Sequence, residues 1–446
     1  MKIHFIAIGG SIMHSLAIQL KKNGHIITGS DDVIREPSKS NLNHYDILPA
    51  KEGWCSKKIS TDLDMVILGM HAKKNNPELL EAQKYNIPVI SFPEFIFNSS
   101  KYKKRVVIAG SHGKTTITAM IIHVLNEYNI KFDYLLGAKI DALENQVKLD
   151  DSKLIIIEGD EYFSSAIDLK PKFMHYDPDV LVVSGVSWDH INVFPTKSSY
   201  ESAFSKLLNH VIEKNGKIFY YTHDLFLQKS LSAYNQLSQS YDSPRYIIKK
   251  GQFILVHKNE NIPLNIFGKH NMENMEAARQ VCQEIGVCES DFYKSIKNFK
   301  GASRRLNLIK EIENHSAVYY DFAHSPSKVF ATVNAVKELY PDRFLIGCLE
   351  LHTYSSLNVD FIPNYLNTLN NCSESWLYFD EQELQRKGFA KLDRKFLLRA
   401  FNHPNMTIIN NKKLLRQKIN QIELDNTNLL LMSSGNFSGL DIKSII

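Results

Sequence analysis

The chain has 446 residues, 43% of them hydrophobic and 23% charged, enough for about three domains that each bury a full core. Its formal net charge of +5 is modest, and its 53 Lys and Arg are spread rather than clustered, which argues against nucleic acid as the main partner. The five cysteines show no CxxC spacing and suit free thiols in a reducing cytoplasm. With neither a signal-like start nor an apolar run of about 20 residues, the expectation is a cytoplasmic protein with no membrane insertion.

Ile3–Ile8 reads as a strand, Gly9-Gly10-Ser11 as a turn into a helix reaching Lys22, and His25–Thr28 as a second strand ending at Gly29-Ser30-Asp31. This βαβ opening places an acid, Asp31, 22 residues after Gly9, where a ribose hydroxyl is bound in dinucleotide folds. Ala7 and Ile12 stand where the first and third glycines of the dinucleotide fingerprint belong. A different nucleotide diphosphate is therefore favoured over nicotinamide, with a purely structural turn left open. Met65–Gly69 is a further strand, and His71 at its end is either a ligand contact or a solvated loop side chain. Asn98–Lys104 is polar and reads as a linker.

The strongest stretch follows. Arg105–Ala109 is an apolar strand, Gly110-Ser111-His112-Gly113-Lys114-Thr115-Thr116 a glycine turn, and Ile117–Leu125 an apolar helix face. Strand, glycine turn, Lys-Thr and helix form a phosphate-binding loop, in a tight version with Ile108 at the place of the usual first glycine. Lys114 is suited to neutralise phosphate oxygens and Thr115 to ligate Mg²⁺. Leu154–Ile157 ends in Glu158-Gly159-Asp160-Glu161, carboxylates that suit the same hard cation. Val180–Ser184 precedes Trp188-Asp189-His190, a pair able to ligate a second metal or simply to pack. Tyr246–Ile248 and Phe253–Val256 read as a hairpin. In Gly268–Asn274, an asparagine either reads an adenine edge or caps a helix.

Phe299–Arg305 is a basic joint whose arginines are a solvated linker or a phosphate contact. Beyond it, Val318–Asp321, Phe344–Leu349 and Leu429–Met432 are strands alternating with helices, with His324, His352 and Ser433–Asn436 gathered at their C-terminal ends. Arg386, Lys387, Arg394 and Arg399 offer charge for a carboxylate or form a solvated face. The fold class is α/β, cut by composition at 1–103, 104–302 and 303–446.

Taken in order, these motifs resemble the Mur ligase superfamily, ATP-dependent amide-forming enzymes of peptidoglycan synthesis, over essentially the whole chain. The resemblance implies a Rossmann-like UDP-sugar domain, a central phosphate-loop ATPase domain and a Rossmann-like acceptor domain. It implies ATP and Mg²⁺ as cofactors, and a monomer or weak homodimer. Two branches that start from UDP-N-acetylmuramate fit best, one adding L-alanine and one adding a whole tripeptide. Asp160-Glu161-Tyr162, Lys172–Pro178 and Asp189–Pro195 look like the tripeptide branch. Gly159, Asn192 and Glu350–Ser356 depart from both branches.

The resemblance also implies residue roles. Gly110, Ser111, His112, Gly113, Lys114, Thr115, Thr116, Asn271, Asn274, Arg305 and Asp321 would bind ATP, with Lys114, His190 and Arg305 catalytic. Thr115, Glu158, Glu161 and His190 would hold metal. Gly9, Gly10, Ser11, Asp31 and His71 would hold the UDP-sugar, and His324 and His352 the acceptor. A phosphate-loop kinase or NTPase, and a non-catalytic nucleotide-sugar binder, are the alternatives from other classes.

Overall fold

Runs of Val, Ile and Leu without polar alternation fit strands buried on both faces, and this chain lays them down as parallel strands joined by helices. The computed structural model describes residues 1–138, 143–258, 260–302, 305–312, 315–423 and 425–442. By internal contacts the chain divides into two units. One comprises Met1–Val186, Glu201–Tyr241 and Ala277–Gly286; the other comprises Ser187–Tyr200, Asp242–Glu276 and Val287–Ile446.

The first unit holds two sheets. In the smaller, Ile26–Ser30, Lys2–Ile6, Met65–Leu68 and Val89–Ser91 lie side by side, all parallel. The larger runs Ser238–Tyr241, Lys217–Tyr221, Val180–Val183, Lys104–Ala109, Leu154–Glu158, Asp133–Leu135, Val147–Lys148. It is parallel except for its last, antiparallel pair. The register sets Ile108 between Glu158 and Val182, so the loop after Ala109 opens between the ends of two neighbouring strands.

The second unit contains a small antiparallel sheet, Tyr246–Lys249, Gln252–His257 and Glu260–Pro263. It also contains a six-stranded sheet in the order Asn307–Ile312, Ser316–Asp321, Thr427–Met432, Phe344–Glu350, Glu374–Tyr378, Met406–Ile409. Only its first pair is antiparallel. Leu345, Leu349, Leu430 and Met432 pack into a core on one face; Ile346, Cys348, Leu429 and Leu431 pack on the other. That period of two, apolar on both sides, is why these strands read as continuous apolar runs.

The α/β architecture expected from sequence is therefore present. Two local readings differ. The first three residues of the polar stretch, from Asn98, continue the helix Phe92–Ser100, where Ser100 Oγ donates to the Ile96 carbonyl at 2.7 Å. The hairpin gains a third strand, Glu260–Pro263, whose polar sequence gives no alternation and whose pairing is main-chain. Among the described residues, no helix is long and apolar enough to cross a membrane.

Candidate active site

The loop after Lys104–Ala109 turns through Gly110 at φ 120° and Gly113 at φ 70°, conformations costly for any residue with a side chain. At Gly110 a Cβ would also lie 2.5 Å from Ser184 Oγ. Gly113 starts the helix Lys114–Glu127 without a side-chain cap, which leaves the positive end of the helix open to an anion. The loop is held from below: Ser111 N–H donates to the Gly185 carbonyl at 2.9 Å, and Ser184 Oγ donates to the His112 carbonyl. Ser111 Oγ lies 2.9 Å from His112 Nδ1, and Thr116 is buried behind the loop.

Carboxylates from the adjacent strand end meet this loop. Lys114 Nζ donates to the Gly110 carbonyl at 2.7 Å and to Glu161 Oε2 at 2.6 Å. Burial works against the lysine's charge, but Glu161, Asp160 and Glu158 outweigh it and hold the ammonium above the usual lysine range. Thr115 Oγ1 donates to Glu158 Oε1 at 2.7 Å, and Gly137 N–H donates to Glu158 Oε2 at 2.9 Å. A hydroxyl and a carboxylate this close are hard oxygen donors of the kind Mg²⁺ prefers. Among the described residues, no three His, Cys, Asp or Glu side chains gather closely enough to hold a metal alone. Asp160 takes Lys172 Nζ at 2.5 Å, and His175 Nε2 lies 2.8 Å from Asp168 Oδ2, so the Lys172–Pro178 run is anchored on these acids.

In the smaller sheet of the same unit, Gly9, Gly10, Ser11 and Asp31 come together. Gly9 N–H donates to Asp31 Oδ2 at 2.7 Å, and a Cβ on Gly9 would lie 2.9 Å from that oxygen. Burial, with Asp32 alongside, raises the Asp31 carboxyl to about 6. The helix Ser11–Lys22 begins at Gly10 with no side-chain cap, and Ser11 Oγ donates to Gln146 Oε1 at 2.8 Å. His71 is exposed in the turn after the neighbouring strand Met65–Leu68.

The second unit carries the remaining candidates. Asp189, only 4% exposed, accepts from His190 N–H at 2.7 Å. Among the described residues its Oδ2 has no hydrogen-bond partner, with Lys328 Nζ at 3.8 Å and His324 Nε2 at 4.0 Å. Burial alone would raise this carboxyl; His190, Lys328 and His324 outweigh it and hold it near about 2. His324 is itself pushed down to about 3, by burial and then by Lys328.

Asp321 accepts from Leu306 N–H and Ala323 N–H, each at 2.6 Å, which pins the Arg305 segment to a strand end. The Arg305 guanidinium stands 4.8 Å from the centre of the Phe322 ring, while Arg304 lies outside the described residues. Asn271 Nδ2 donates to the Phe267 carbonyl at 2.8 Å, and Asn274 lies one turn on, its Nδ2 3.5 Å from Asn271 Oδ1. His352 is half-buried beyond the strand Phe344–Glu350, and its carbonyl accepts from Lys387 Nζ. Of the four basic residues weighed above, Lys387 turns inward, Arg386 pairs with Glu383 at 2.7 Å, and Arg394 and Arg399 are exposed.

Three side chains or backbone groups in these clusters were not singled out from sequence. Gly137 had a usable signal, a glycine closing the apolar run Tyr134-Leu135-Leu136. Lys328 sits in the first turn of the helix Pro326–Leu339, where only tertiary structure reveals Asp189. Gln146 had no signal at all.

A parallel sheet whose phosphate loop is met by strand-end carboxylates defines a nucleotide-dependent enzyme of the phosphate-loop class. Family comparison is more specific: residues 108–282 match the Mur ligase middle domain, and residues 2–102 match the Mur ligase family, catalytic domain. The UDP-N-acetylmuramate–L-alanine ligase of Clostridium kluyveri is 30% identical over 389 residues, covering 84% of this chain and 82% of that one. The UDP-N-acetylmuramate–L-alanyl-gamma-D-glutamyl-meso-2,6-diaminoheptandioate ligase of Haemophilus influenzae is 28% identical over 349 residues, covering 75% and 76%. In fold, the chain is similar to a murein peptide ligase from Psychrobacter arcticus (TM-score 0.66, 21% identity, 98% and 97% covered). It is similar too to the UDP-N-acetylmuramate–alanine ligase of Thermotoga maritima (TM-score 0.70, 20% identity, 98% and 97% covered). The chain belongs to the Mur ligase family and is an ATP-dependent amide ligase of peptidoglycan synthesis.

Proposed function

We propose that this ligase joins the lactyl carboxylate of UDP-N-acetylmuramate to the amine of the tripeptide L-alanyl-γ-D-glutamyl-meso-diaminopimelate, in peptidoglycan recycling, by way of an acyl phosphate. The observation that carries the chemistry is the Lys114–Glu161 and Thr115–Glu158 constellation at the mouth of the phosphate loop. A carboxylate is inert to an amine at neutral pH. Attack of the carboxylate on the γ-phosphate of ATP displaces ADP and gives an acyl phosphate; the amine adds to its carbonyl, loses a proton, and phosphate leaves. The first step needs charge neutralisation and in-line positioning more than acid–base work.

In this reading Gly110, Ser111, His112, Gly113 and Thr116 cradle the polyphosphate, and Lys114 neutralises its β- and γ-oxygens. Thr115 and Glu158 hold Mg²⁺, with Glu161 and His190 serving a second ion. Bound there, the metal supplies charge neutralisation to the transferring phosphoryl group. Arg305 steadies that group, Asp321 contacts the nucleotide or its metal shell, and Asn271 and Asn274 serve the adenine. Gly9, Gly10, Ser11, Asp31 and His71 hold the UDP-sugar, and His324 and His352 the acceptor. Cytoplasmic location and a monomer or weak homodimer go with this reading, as do domain limits near residues 103 and 302.

Support for the tripeptide is the Asp160–Tyr162 sequence with the Lys172–Pro178 run anchored on Asp160 and Asp168. L-alanine is the second reading, favoured by the 30% identity to a ligase of that name. Phosphate release from ATP, Mg²⁺ and UDP-N-acetylmuramate decides between them when tripeptide, L-alanine and no acceptor are compared. Release that depends on tripeptide is expected. Release that depends on alanine moves the chain to the other branch, and equal release in all three rejects ligation. Carboxylate labelled with ¹⁸O must pass label to phosphate; unlabelled phosphate rules out the acyl phosphate.

A further inference from the structure

Two of the proposed half-sites in the first unit are joined by hydrogen bonds through one buried residue. Ser11, at the start of the helix Ser11–Lys22, donates its hydroxyl to Gln146 Oε1 at 2.8 Å. Gln146 is 5% exposed. Its backbone carbonyl accepts from Leu136 N–H at 2.8 Å, and its Nε2 lies 3.5 Å from the Leu136 carbonyl. This extends by one residue the antiparallel pairing of Leu135 with Val147. The next residue, Gly137, donates its N–H to Glu158 Oε2, whose other oxygen takes Thr115 Oγ1. The approach at Gly137 is close enough that a Cβ would lie 3.0 Å from Glu158 Oε1.

We infer that Gln146 is a positioning residue that couples occupancy of the UDP-sugar site to the Glu158–Thr115 metal and nucleotide site. The inference rests on the reading of Ser11 and Glu158 given above. A serine hydroxyl has a single proton to donate. When a diphosphate oxygen takes that proton at the helix N-terminus, Gln146 loses its partner. A buried amide does not stay unpaired without cost, so it reorients. Its other contacts are to the Leu136 backbone, and Leu136 is bonded to the residue that fixes Glu158. Binding at one site is thereby felt as a shift in how a carboxylate is presented at the other, with no contact between the ligands. A hydrogen bond serving only to hold the two sheets together would change stability and both affinities, and would leave their mutual dependence alone.

The test is a binding cycle by calorimetry, which does not require turnover. The affinity for UDP-N-acetylmuramate is measured with and without the magnesium complex of a non-hydrolysable ATP analogue. In the native protein the two affinities should differ by at least about 5-fold. Gln146→Met keeps the bulk and removes every side-chain hydrogen bond; the ratio should fall to within about 2-fold of unity. Gln146→Glu keeps an acceptor for Ser11 but sets a carboxylate oxygen against the Leu136 carbonyl, and should lose the ratio as well; it serves if the Met variant does not fold. A native ratio of one overturns the inference, as does a ratio retained in either variant. If UDP-N-acetylmuramate alone gives no binding heat, the donor reading fails and the inference falls with it, an outcome distinct from binding without coupling.

Discussion

Glu161 and Asp189 are both buried carboxylates close to cations, and they are built in opposite ways. Glu161 is fully enclosed and in direct contact with Lys114 at 2.6 Å. Asp189 is 4% exposed, yet its nearest ammonium, Lys328 Nζ, stands at 3.8 Å, and among the described residues one of its oxygens has no hydrogen-bond partner. The first pair is assembled within one strand–loop–helix unit and its neighbouring strand. The second is assembled from residues 189–190 and residues 324–328, more than 130 positions apart in sequence. A locally built pair can be held to hydrogen-bonding distance by a few well-paired backbone turns. A pair brought together by distant segments is held only as tightly as those segments pack.

Removing one partner should therefore have its largest effect at Lys114. Lys114→Met takes the ammonium at 2.6 Å away from the buried Glu161 carboxylate, at a cost of about 3–5 kcal/mol of stability. In the folded fraction, turnover should fall at least ~10²-fold, as when one transition-state charge contact is lost. The double variant Lys114→Met/Glu161→Gln separates the two effects, because it should regain most of the stability and none of the turnover. Denaturant titration and kcat on the same samples check both. Near-native turnover in either variant removes the loop from the chemistry.

The contrast also explains what the sequence disclosed. The phosphate loop was legible because its chemistry is local: a strand, glycines able to adopt positive φ, Lys-Thr and a helix follow one another within about 20 residues. Glu158 and Glu161 were legible as strand-end acids, though nothing in sequence said that Glu161 would engage Lys114. Asp189 was visible beside His190, while Lys328, its nearest ammonium, read as an ordinary helical lysine. Gln146 was illegible for the same reason at its extreme: a single buried amide acquires meaning only from the two groups it bridges. The resemblance to ligases bridged such gaps by motif order, assigning roles to residues whose contacts spacing could not supply.

A third carboxylate sharpens the comparison because backbone N–H groups hold it. Asp31 accepts from Gly9 N–H at 2.7 Å and from Asp32 N–H at 2.9 Å, and burial lifts its pKa from 3.8 to about 6. Between those values the folded state binds a proton that the unfolded chain has released. Stability from this group is thus present at low pH, is lost as pH rises from about 4 to about 6, and is flat above. The full difference corresponds to roughly 3 kcal/mol. Asp31→Asn keeps an oxygen for Gly9 N–H and carries no charge. Its stability should fall less than the native protein's between pH 4 and pH 7, as measured by denaturant titration across that range. An identical slope in both proteins would mean that Asp31 ionises as freely in the fold as in water.

The smallest effect is expected at Asp189, and it decides whether the opening contrast is real. Lys328 Nζ stands 3.8 Å from Asp189 Oδ2, and the neighbouring charges outweigh the cost of burying the carboxylate, but among the described residues no hydrogen bond to that oxygen adds to the margin. Asp189→Asn keeps the shape and the oxygen that accepts from His190 N–H while removing both the attraction and the desolvation cost. Stability should fall by no more than about 2 kcal/mol. His324, already held neutral at pH 7 by burial, should remain so, and its imidazole resonance should not titrate between pH 5 and pH 8 in either protein. A loss of 3 kcal/mol or more would show that the distant segments hold Asp189 as firmly as the loop holds Glu161, and that separation along the chain does not set the tightness of a buried pair here.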